Sequence, residues 1–225
     1  MRYAVTGSGG FIGQHLMRRL PAGTVPIDVK DGRDVHDPRL GDWLAGVDVV
    51  FHLAADPDIT GRDWLTNVGG TCRLIELGVR VVFASSAAVY GDNWCGTEDD
   101  AVSPVSWYGA AKAASELFLL TDGGHCVLRL GNVWGPGSRS VKDRCVAVDG
   151  DGSQTRDFVH VGAVCDAFVL ASEAGAEGVF NVGTGTETRI RDLWPDVPLS
   201  GRPAGVARSR VDPAKAVGVL GWVPY

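Results

Sequence analysis

No apolar run in this chain approaches the roughly 20 residues that a helix needs to cross a membrane. Basic residues are also too few for a nucleic-acid surface: 21 Lys and Arg stand against 27 Asp and Glu, a formal net charge of −6. That balance argues against partners of dense negative charge, whether nucleic acid or an anionic membrane. Cysteine is sparse and odd in number. Cys72, Cys95, Cys126, Cys145 and Cys165 are scattered with no CxxC pair, which reads as free thiols in a reducing cytoplasm and argues against structural zinc. The five histidines are equally dispersed, so no metal is implied. The N-terminus (MRYAVTGSGG) enters a strand at once, leaving no room for a signal peptide. Internal repeats, low-complexity tracts and a clear linker are missing too. The remaining expectation is a soluble globular chain of 225 residues, 45% hydrophobic and 21% charged. That length buries one good core, or one domain with a small appendage.

Short β-rich runs alternate with helical patterns. Arg2–Thr6 predicts a strand, followed by a helix from about Phe11 to Leu20 with Ile12, Leu16 and Leu20 on one face. Thr24–Val29 predicts a second strand. Val47–Ala54 is nearly continuous apolar sequence, as expected of a strand buried on both faces of a parallel sheet. A helix over Asn67–Leu77 leads into a strand at Val79–Ala84. The alanine-rich helix beginning at Tyr108 leads into a strand at Cys126–Leu130, and the helix Val161–Ala174 precedes a strand at Gly178–Val182. Repeated βα units of this size predict an α/β fold, a doubly wound parallel sheet with its ligand at the carboxyl ends of the strands. Gly and Pro cluster around 131–137, 149–152 and 195–205, where a small second lobe is expected.

The first strand runs directly into Thr6-Gly7-Ser8-Gly9-Gly10-Phe11-Ile12-Gly13. Glycine at 7, 10 and 13 permits a tight turn, close approach of backbone to a pyrophosphate, and close packing of helix on strand. The helix N-terminus then offers oriented N–H groups to an anion. Asp28 closes the next strand, the position of a carboxylate that binds the adenosine ribose hydroxyls. The same carboxylate repels a 2′-phosphate, which favours NAD over NADP, although Lys30 and Arg33 lie nearby.

Tyr108 and Lys112 are spaced i, i+4 in a helical run and share a face. A free tyrosine titrates near pH 10 and is a poor base at neutrality; a cation beside it favours the phenolate and makes it usable for proton transfer. The strand at Val81–Ala84 ends in Ser85-Ser86-Ala87-Ala88-Val89-Tyr90-Gly91, which puts a hydroxyl at the mouth of the same cleft.

The order of these motifs resembles the extended short-chain dehydrogenase/reductases, specifically the NAD-dependent nucleotide-sugar epimerase/dehydratase family, and the UDP-hexose 4-epimerases within it. The resemblance spans nearly the whole chain: TGSGGFIG, the acid after the second strand, RDVHD (Arg33–Asp37), VDVVFHLAA (Val47–Ala55), NVGGT (Asn67–Thr71), FASSAAVYG (Phe83–Gly91), YGAAK, LRLGNVWGPG (Leu128–Gly137), DGSQTRDFVHV (Asp151–Val161), FNVGTG (Phe180–Gly185) and LGW (Leu220–Trp222). It implies a Rossmann NAD-binding domain over residues 1–130, completed by roughly 153–184, with 131–152 and 185–225 forming a reduced C-terminal substrate lobe.

Position by position, the resemblance makes Ser86, Tyr108 and Lys112 the catalytic triad, with Ser85 the rival hydroxyl. Gly7, Gly10, Phe11, Ile12 and Gly13 would hold the pyrophosphate and Asp28 the ribose. Asp34 and Val35 would lie by the adenine, Leu53, Ala54, Ala55 and Ala84 along the cofactor, and Asn67 by its nicotinamide half. Asn132 and Arg156 match positions that bind the sugar nucleotide's diphosphate, and Arg202 a second phosphate-binding arginine. Related 4,6-dehydratases carry a Thr-Asp-Glu triplet whose carboxyls eliminate water. Here Ala87 and Ala88 follow Ser86 and cannot. What remains is hydride and proton traffic at a hydroxyl: 4-epimerisation first, 4-keto reduction second, and third a dinucleotide-binding regulatory protein without efficient turnover. Relatives commonly dimerise through the two helices at Asn67–Leu77 and Tyr108–Leu120, which implies a homodimer.

Several segments are short for the family. Asp28 and Asp34 are nearly adjacent, so the usual strand–helix–strand excursion between them is mostly missing. The stretches after Ala55 and after Gly137 are brief, and Arg202–Gly205 (RPAG) lacks the acid that often follows the arginine. Trp107 stands where proline usually precedes the tyrosine.

Overall fold

Strands apolar on both faces occupy the centre of the molecule, covered by helices above and below. In a computed structural model the described residues are 1–56, 65–138, 140, 145–203 and 205–225. The elements run β1 (Tyr3–Thr6), α1 (Phe11–Met17), β2 (Val25–Ile27), α2 (Leu40–Trp43), β3 (Val49–His52), α3 (Gly70–Glu76), β4 (Arg80–Ser86) and β5 (Asn93–Gly96). They continue with α4 (Trp107–Asp122), β6 (Cys126–Leu130), β7 (Asn132–Trp134), β8 (Thr155–His160), α5 (Val161–Glu173) and β9 (Gly178–Val182). The chain closes with β10 (Glu187–Arg189), α6 (Ile190–Leu193), β11 (Arg208–Val211) and α7 (Ala214–Leu220).

Six parallel strands pair in the order β2-β1-β3-β4-β6-β9. Every residue of β1, β3 and β6 is buried. On one face Val5, Phe51 and Leu128 pack with Leu16 of α1, Phe168 of α5 and Trp222; on the other, Ala4, Val50 and Phe83 pack with Leu40, Leu74 and Leu119 of α2, α3 and α4. This is the doubly wound sheet expected from the alternating pattern. The chain leaves β1 for β2 on one side and later returns to β3 on the other, and that reversal opens a crevice at the carboxyl end of β1. Only a 3-10 turn, Val29–Asp31, separates Asp28 from the Asp34 region, so β2 is the edge of the sheet.

Element ends depart from expectation for local reasons. Helix α1 stops at Met17, ahead of Leu20, which precedes Pro21 and is thereby biased away from helix. The stretch before α3 forms a π-type turn, Leu65–Gly69. The shortened segment after Ala55 lies largely outside the described residues, as do most of 139–144 and Ala204.

A second, mixed sheet has the order β10-β8-β11-β5, with β7 paired to β8. It interleaves with the first in sequence more than the expected boundaries allowed. β5 comes from within the first 130 residues, and β8 from the segment expected to complete the Rossmann layer. Conversely α7 and Trp222, from the C-terminal stretch, pack on the main core. Trp222 is fully buried and its indole N–H donates to the Ala163 carbonyl at 2.7 Å.

A buried polar bridge fixes β1 against β3 and α3. His52 Nδ1 lies 2.7 Å from Thr6 Oγ1 and Nε2 lies 3.1 Å from Thr71 Oγ1. Burial, with Lys112 and His36 acting in the same direction, pushes the His52 imidazole down to about 3. The unfolded chain then binds a proton at about pH 6.5 that the folded chain refuses until about pH 3. This contribution to stability is complete above pH 6.5 and is lost as pH falls toward 3. Urea unfolding of the His52→Gln variant should therefore lack part of the acid slope of the wild type, up to about 1.4 kcal/mol per pH unit.

Candidate active site

The glycine loop owes its sequence to close approach. Gly7 has φ +70°, and a Cβ there would stand 2.8 Å from the Ala54 nitrogen. At Gly13 a Cβ would stand 2.1 Å from the Gly7 carbonyl oxygen, so α1 packs directly on the loop. With no side chains between, the loop forms the floor of a cavity of about 600 Å³, within the range of small-molecule sites. Gly7, Gly10, Phe11, Ile12 and Gly13 line it on one side and Leu53, Ala55, Ala84, Tyr108 and Lys112 on the other. A second cavity of about 260 Å³ shares Gly7, Gly10, Leu53 and Ala55 and adds Asp28, Asp34, Val35 and Ala54. The two adjoining spaces, a carboxylate beside one and a phenol beside the other, fit an extended dinucleotide.

Asp28 is buried. Its carboxylate accepts the Gly9 N–H at 2.8 Å and the Lys30 N–H at 3.0 Å, while Lys30 Nζ donates to the Gly9 carbonyl at 2.7 Å. The carboxylate retains lone pairs for ribose hydroxyls. Arg33 lines the same cavity. Asp28→Asn should reduce the preference for NAD over NADP by about tenfold, equivalent to about 1.4 kcal/mol, as read from binding isotherms of the two dinucleotides.

Tyr108 stands in the first turn of α4, which is capped by Ser106 accepting the Gly109 N–H at 3.1 Å. Ser86 lies near its hydroxyl and works against the rise in its pKa. Lys112, one turn on, is 2% exposed and donates from Nζ to the Ala84 carbonyl at 2.7 Å. The same ammonium lies 4.6 Å from the Phe83 ring centre and 5.7 Å from that of Tyr108. Burial pushes the Lys112 ammonium down to about 7, with the Glu116 carboxylate working against it. Burial also raises the Tyr108 phenol above its ordinary value, with Ser86 opposing. For Lys112 to favour the phenolate, as the i, i+4 spacing predicts, its charge must outweigh that desolvation.

The two serines separate by strand alternation. Ser86 accepts the Ala88 N–H at 3.2 Å and meets Tyr108, whereas Ser85, which lines the cavity, donates its hydroxyl to the buried Glu116 carboxylate. Asn67 does not line either cavity. It exchanges hydrogen bonds with the Asp56 backbone at 2.7 and 3.1 Å and accepts Ser115 Oγ on its carbonyl at 2.9 Å; Thr66 reaches the cavity instead.

Asn132 sits opposite Phe158 across β7 and β8, and Arg156, two residues before Phe158, projects to the same face. Arg156 is half-buried and donates to the Thr155 carbonyl at 2.7 Å. Burial lowers its pKa and Asp92 opposes this. Neither lines the cavities, although Val133, next to Asn132, does. Arg202 is exposed and ion-paired to Asp149 at 3.0 Å, apart from both cavities. Sequence reasoning overlooked the contact between His15 Nε2 and the Pro136 carbonyl, 2.9 Å, which joins α1 to the loop after β7. It also overlooked the buried Glu116–Arg129 pair behind Lys112. Among the described residues no cluster of His, Cys, Asp and Glu is suited to a metal ion, and no helix is long and apolar enough to cross a membrane.

Sheet order, glycine loop and the Ser86–Tyr108–Lys112 group together define a Rossmann dinucleotide-binding enzyme of the short-chain dehydrogenase/reductase type. Residues 3–183 match the NAD dependent epimerase/dehydratase family, and the chain belongs to that family. NAD is accordingly its cofactor. The chain is 36% identical to a UDP-glucose 4-epimerase of Mycolicibacterium smegmatis, with all of this chain and 94% of the relative covered. That alignment runs over 293 positions against 225 residues here, so the relative carries internal residues that this chain lacks. Among solved structures, MoeE5 in complex with UDP-glucose and NAD superposes with a TM-score of 0.86 at 30% identity, covering 100% of this chain and 94% of that one. The UDP-glucose 4-epimerase of Thermus thermophilus in complex with NAD gives 0.85 at 27% identity over the same shares.

Proposed function

We propose that this chain epimerises a nucleotide sugar at its 4-position, with Tyr108 as the acid–base group. One observation carries the reading. The larger cavity joins the glycine loop to Tyr108 and Lys112, and among the described residues no aspartate or glutamate lines it. Elimination of water needs a carboxyl at the sugar, and the positions after Ser86 hold Ala87 and Ala88; proton and hydride exchange at a hydroxyl needs neither.

Bound NAD supplies the hydride acceptor and donor. Tyr108 Oη, as phenolate, takes the proton from the sugar 4-hydroxyl and returns it once the keto-sugar has presented its other face. Ser86 Oγ donates to the same oxygen and stabilises charge that develops there. Lys112 shares the proton balance with Tyr108. A raised phenol and a lowered ammonium hold one proton between them near neutrality, and the reactive form is the one with Lys112 charged and Tyr108 ionised.

The second sheet serves as the substrate lobe, with Asn132 and Arg156 toward the diphosphate, an anion suited to a guanidinium. Arg202 joins them only by leaving Asp149. Because relatives and neighbours are named for UDP-glucose, UDP-hexoses come first among the sugars to try. The exposed Leu117, Phe118 and Leu120 of α4, 67%, 48% and 43% accessible, support a homodimer through the α3–α4 face. Light scattering should return about twice 23.7 kDa, and Leu117→Glu with Phe118→Glu should return the monomer. Among the described residues the cysteines form no disulfide, which supports a reducing, cytoplasmic setting.

The test is incubation of the purified protein with a panel of UDP- and GDP-hexoses, followed by analysis of the sugars. A 4-epimer formed without added cofactor supports the proposal. Reduction of a keto-sugar that depends on added NAD(P)H, with no epimer across the panel, contradicts it.

A further inference from the structure

Glu116 lies one turn beyond Lys112, so Tyr108, Lys112 and Glu116 form a single i, i+4, i+8 stripe on α4. Its carboxylate is 2% exposed and is gripped by Arg129, with Nη2 at 2.7 Å and Nε at 3.1 Å from each oxygen. It also accepts the Ser85 hydroxyl. Ser85 and Arg129 are direct partners in the β4–β6 register, so both reach α4 from the same face of the sheet. Ser85 sits between Ala84, whose carbonyl holds Lys112 Nζ, and Ser86, which meets Tyr108. From its far side Arg129 donates to Tyr90 Oη at 2.9 Å, and Tyr90 donates to Asn181 Oδ1 at 2.8 Å. Asn181 Nδ2 then donates to the carbonyls of Gly96 and Asp212, next to β11. A buried ion pair adds little net stability over well-packed apolar residues, so stability alone does not account for this one.

We propose that Glu116, braced by Arg129, is a positioning residue for the reaction: it keeps Lys112 charged beside Tyr108 and holds the end of β4 that carries Ala84 and Ser86. This rests on the reading that Tyr108 and Lys112 carry the proton traffic. The other titratable groups around Lys112 are Tyr108 on its own helix and His52 on β3. Behind Glu116 come Arg129 and Tyr90, and α3, packed on α4, carries Cys72 and the Arg73–Glu76 pair. His52 is neutral near pH 7 because burial holds its pKa far below. Glu116 is the group that opposes the burial of the Lys112 ammonium.

The consequence is specific. Removing the Glu116 charge destabilises every state in which Lys112 is charged. The first proton then leaves the Tyr108–Lys112 pair at lower pH, and the share of the reactive form on the plateau falls by the same factor. The experiment measures kcat against pH for wild type, Glu116→Gln and the double variant E116Q/R129M, which leaves no unpaired guanidinium. NAD affinity and Tm are measured in parallel. The expected result is an acid limb moved down by about one unit with a plateau lower by about tenfold. The curves should converge with wild type at the acid end, and NAD affinity should stay within about twofold. The double variant should move the same way, by less, since the opposing Arg129 charge is gone too. A uniform loss at every pH, or an unmoved acid limb in both variants, overturns the proposal. A wild type without epimerase activity would instead refute the underlying reading, so the two failures are distinguishable.

Discussion

Replacing Tyr108 with phenylalanine should lower kcat by roughly 10²- to 10⁴-fold, the usual worth of a positioned acid–base group, while NAD affinity stays within about twofold. The substitution removes one oxygen, and the ring keeps its place in the first turn of α4 against the cavity wall. Of the other proton-bearing groups lining the larger cavity, His15 is held by the Pro136 carbonyl at 2.9 Å. Lys112 Nζ is committed to the Ala84 carbonyl, and Ser85 is committed to Glu116. Ser86 lacks a base of its own once the phenol is gone. Loss of kcat with KM nearly unchanged would mean that the phenol acts in the transition state. A variant that turned over at the wild-type rate would leave the site with no acid–base group in the role assigned to it.

The second large effect is expected at Gly13. A Cβ there would meet the Gly7 oxygen at 2.1 Å and the Ser8 backbone at 2.8 and 2.9 Å. All three contacts are main-chain atoms, so no flexible side chain can yield. Gly13→Ala must push α1 off the loop, costing about 3 kcal/mol and weakening NAD binding by roughly 100-fold, equivalent to about 2.7 kcal/mol. Gly218 in α7 provides the contrast, since a Cβ there meets nothing within 4 Å. Gly218→Ala should raise stability by about 0.5–1 kcal/mol through helix propensity. Denaturant titrations and dinucleotide isotherms of the two variants check both statements together.

These effects were legible because the features behind them are local in sequence. A parallel strand buried on both faces must be apolar throughout, which exposes β1 and β3 as runs. A loop that touches backbone must be glycine, and a phenol and an ammonium on one helix face must be four apart. The second sheet has no such signature. Its strands are three to six residues long, carry polar residues such as Arg156 and Arg208, and pair positions far apart in the chain, Asn93 with Ser209 among them. Only tertiary pairing defines them. Glu116 looks like a solvent-facing helix residue until the β4–β6 register sets Ser85 and Arg129 against it. The choice between Ser85 and Ser86 likewise depends on which side of β4 faces α4. Asn67 and Arg202 match motif positions, yet their partners, Asp56 and Asp149, come from loops whose course no periodicity encodes.

The central claim is that a hydride leaves the sugar's C4 and comes back to the same carbon while Tyr108 handles the proton. The most direct measurement uses a nucleotide hexose carrying deuterium at C4, incubated with the purified protein without added cofactor, and follows the product by NMR and mass spectrometry. The account predicts the 4-epimer with the deuterium still at C4. Absence of the epimer, or an epimer whose C4 label has been exchanged for solvent hydrogen, would contradict it.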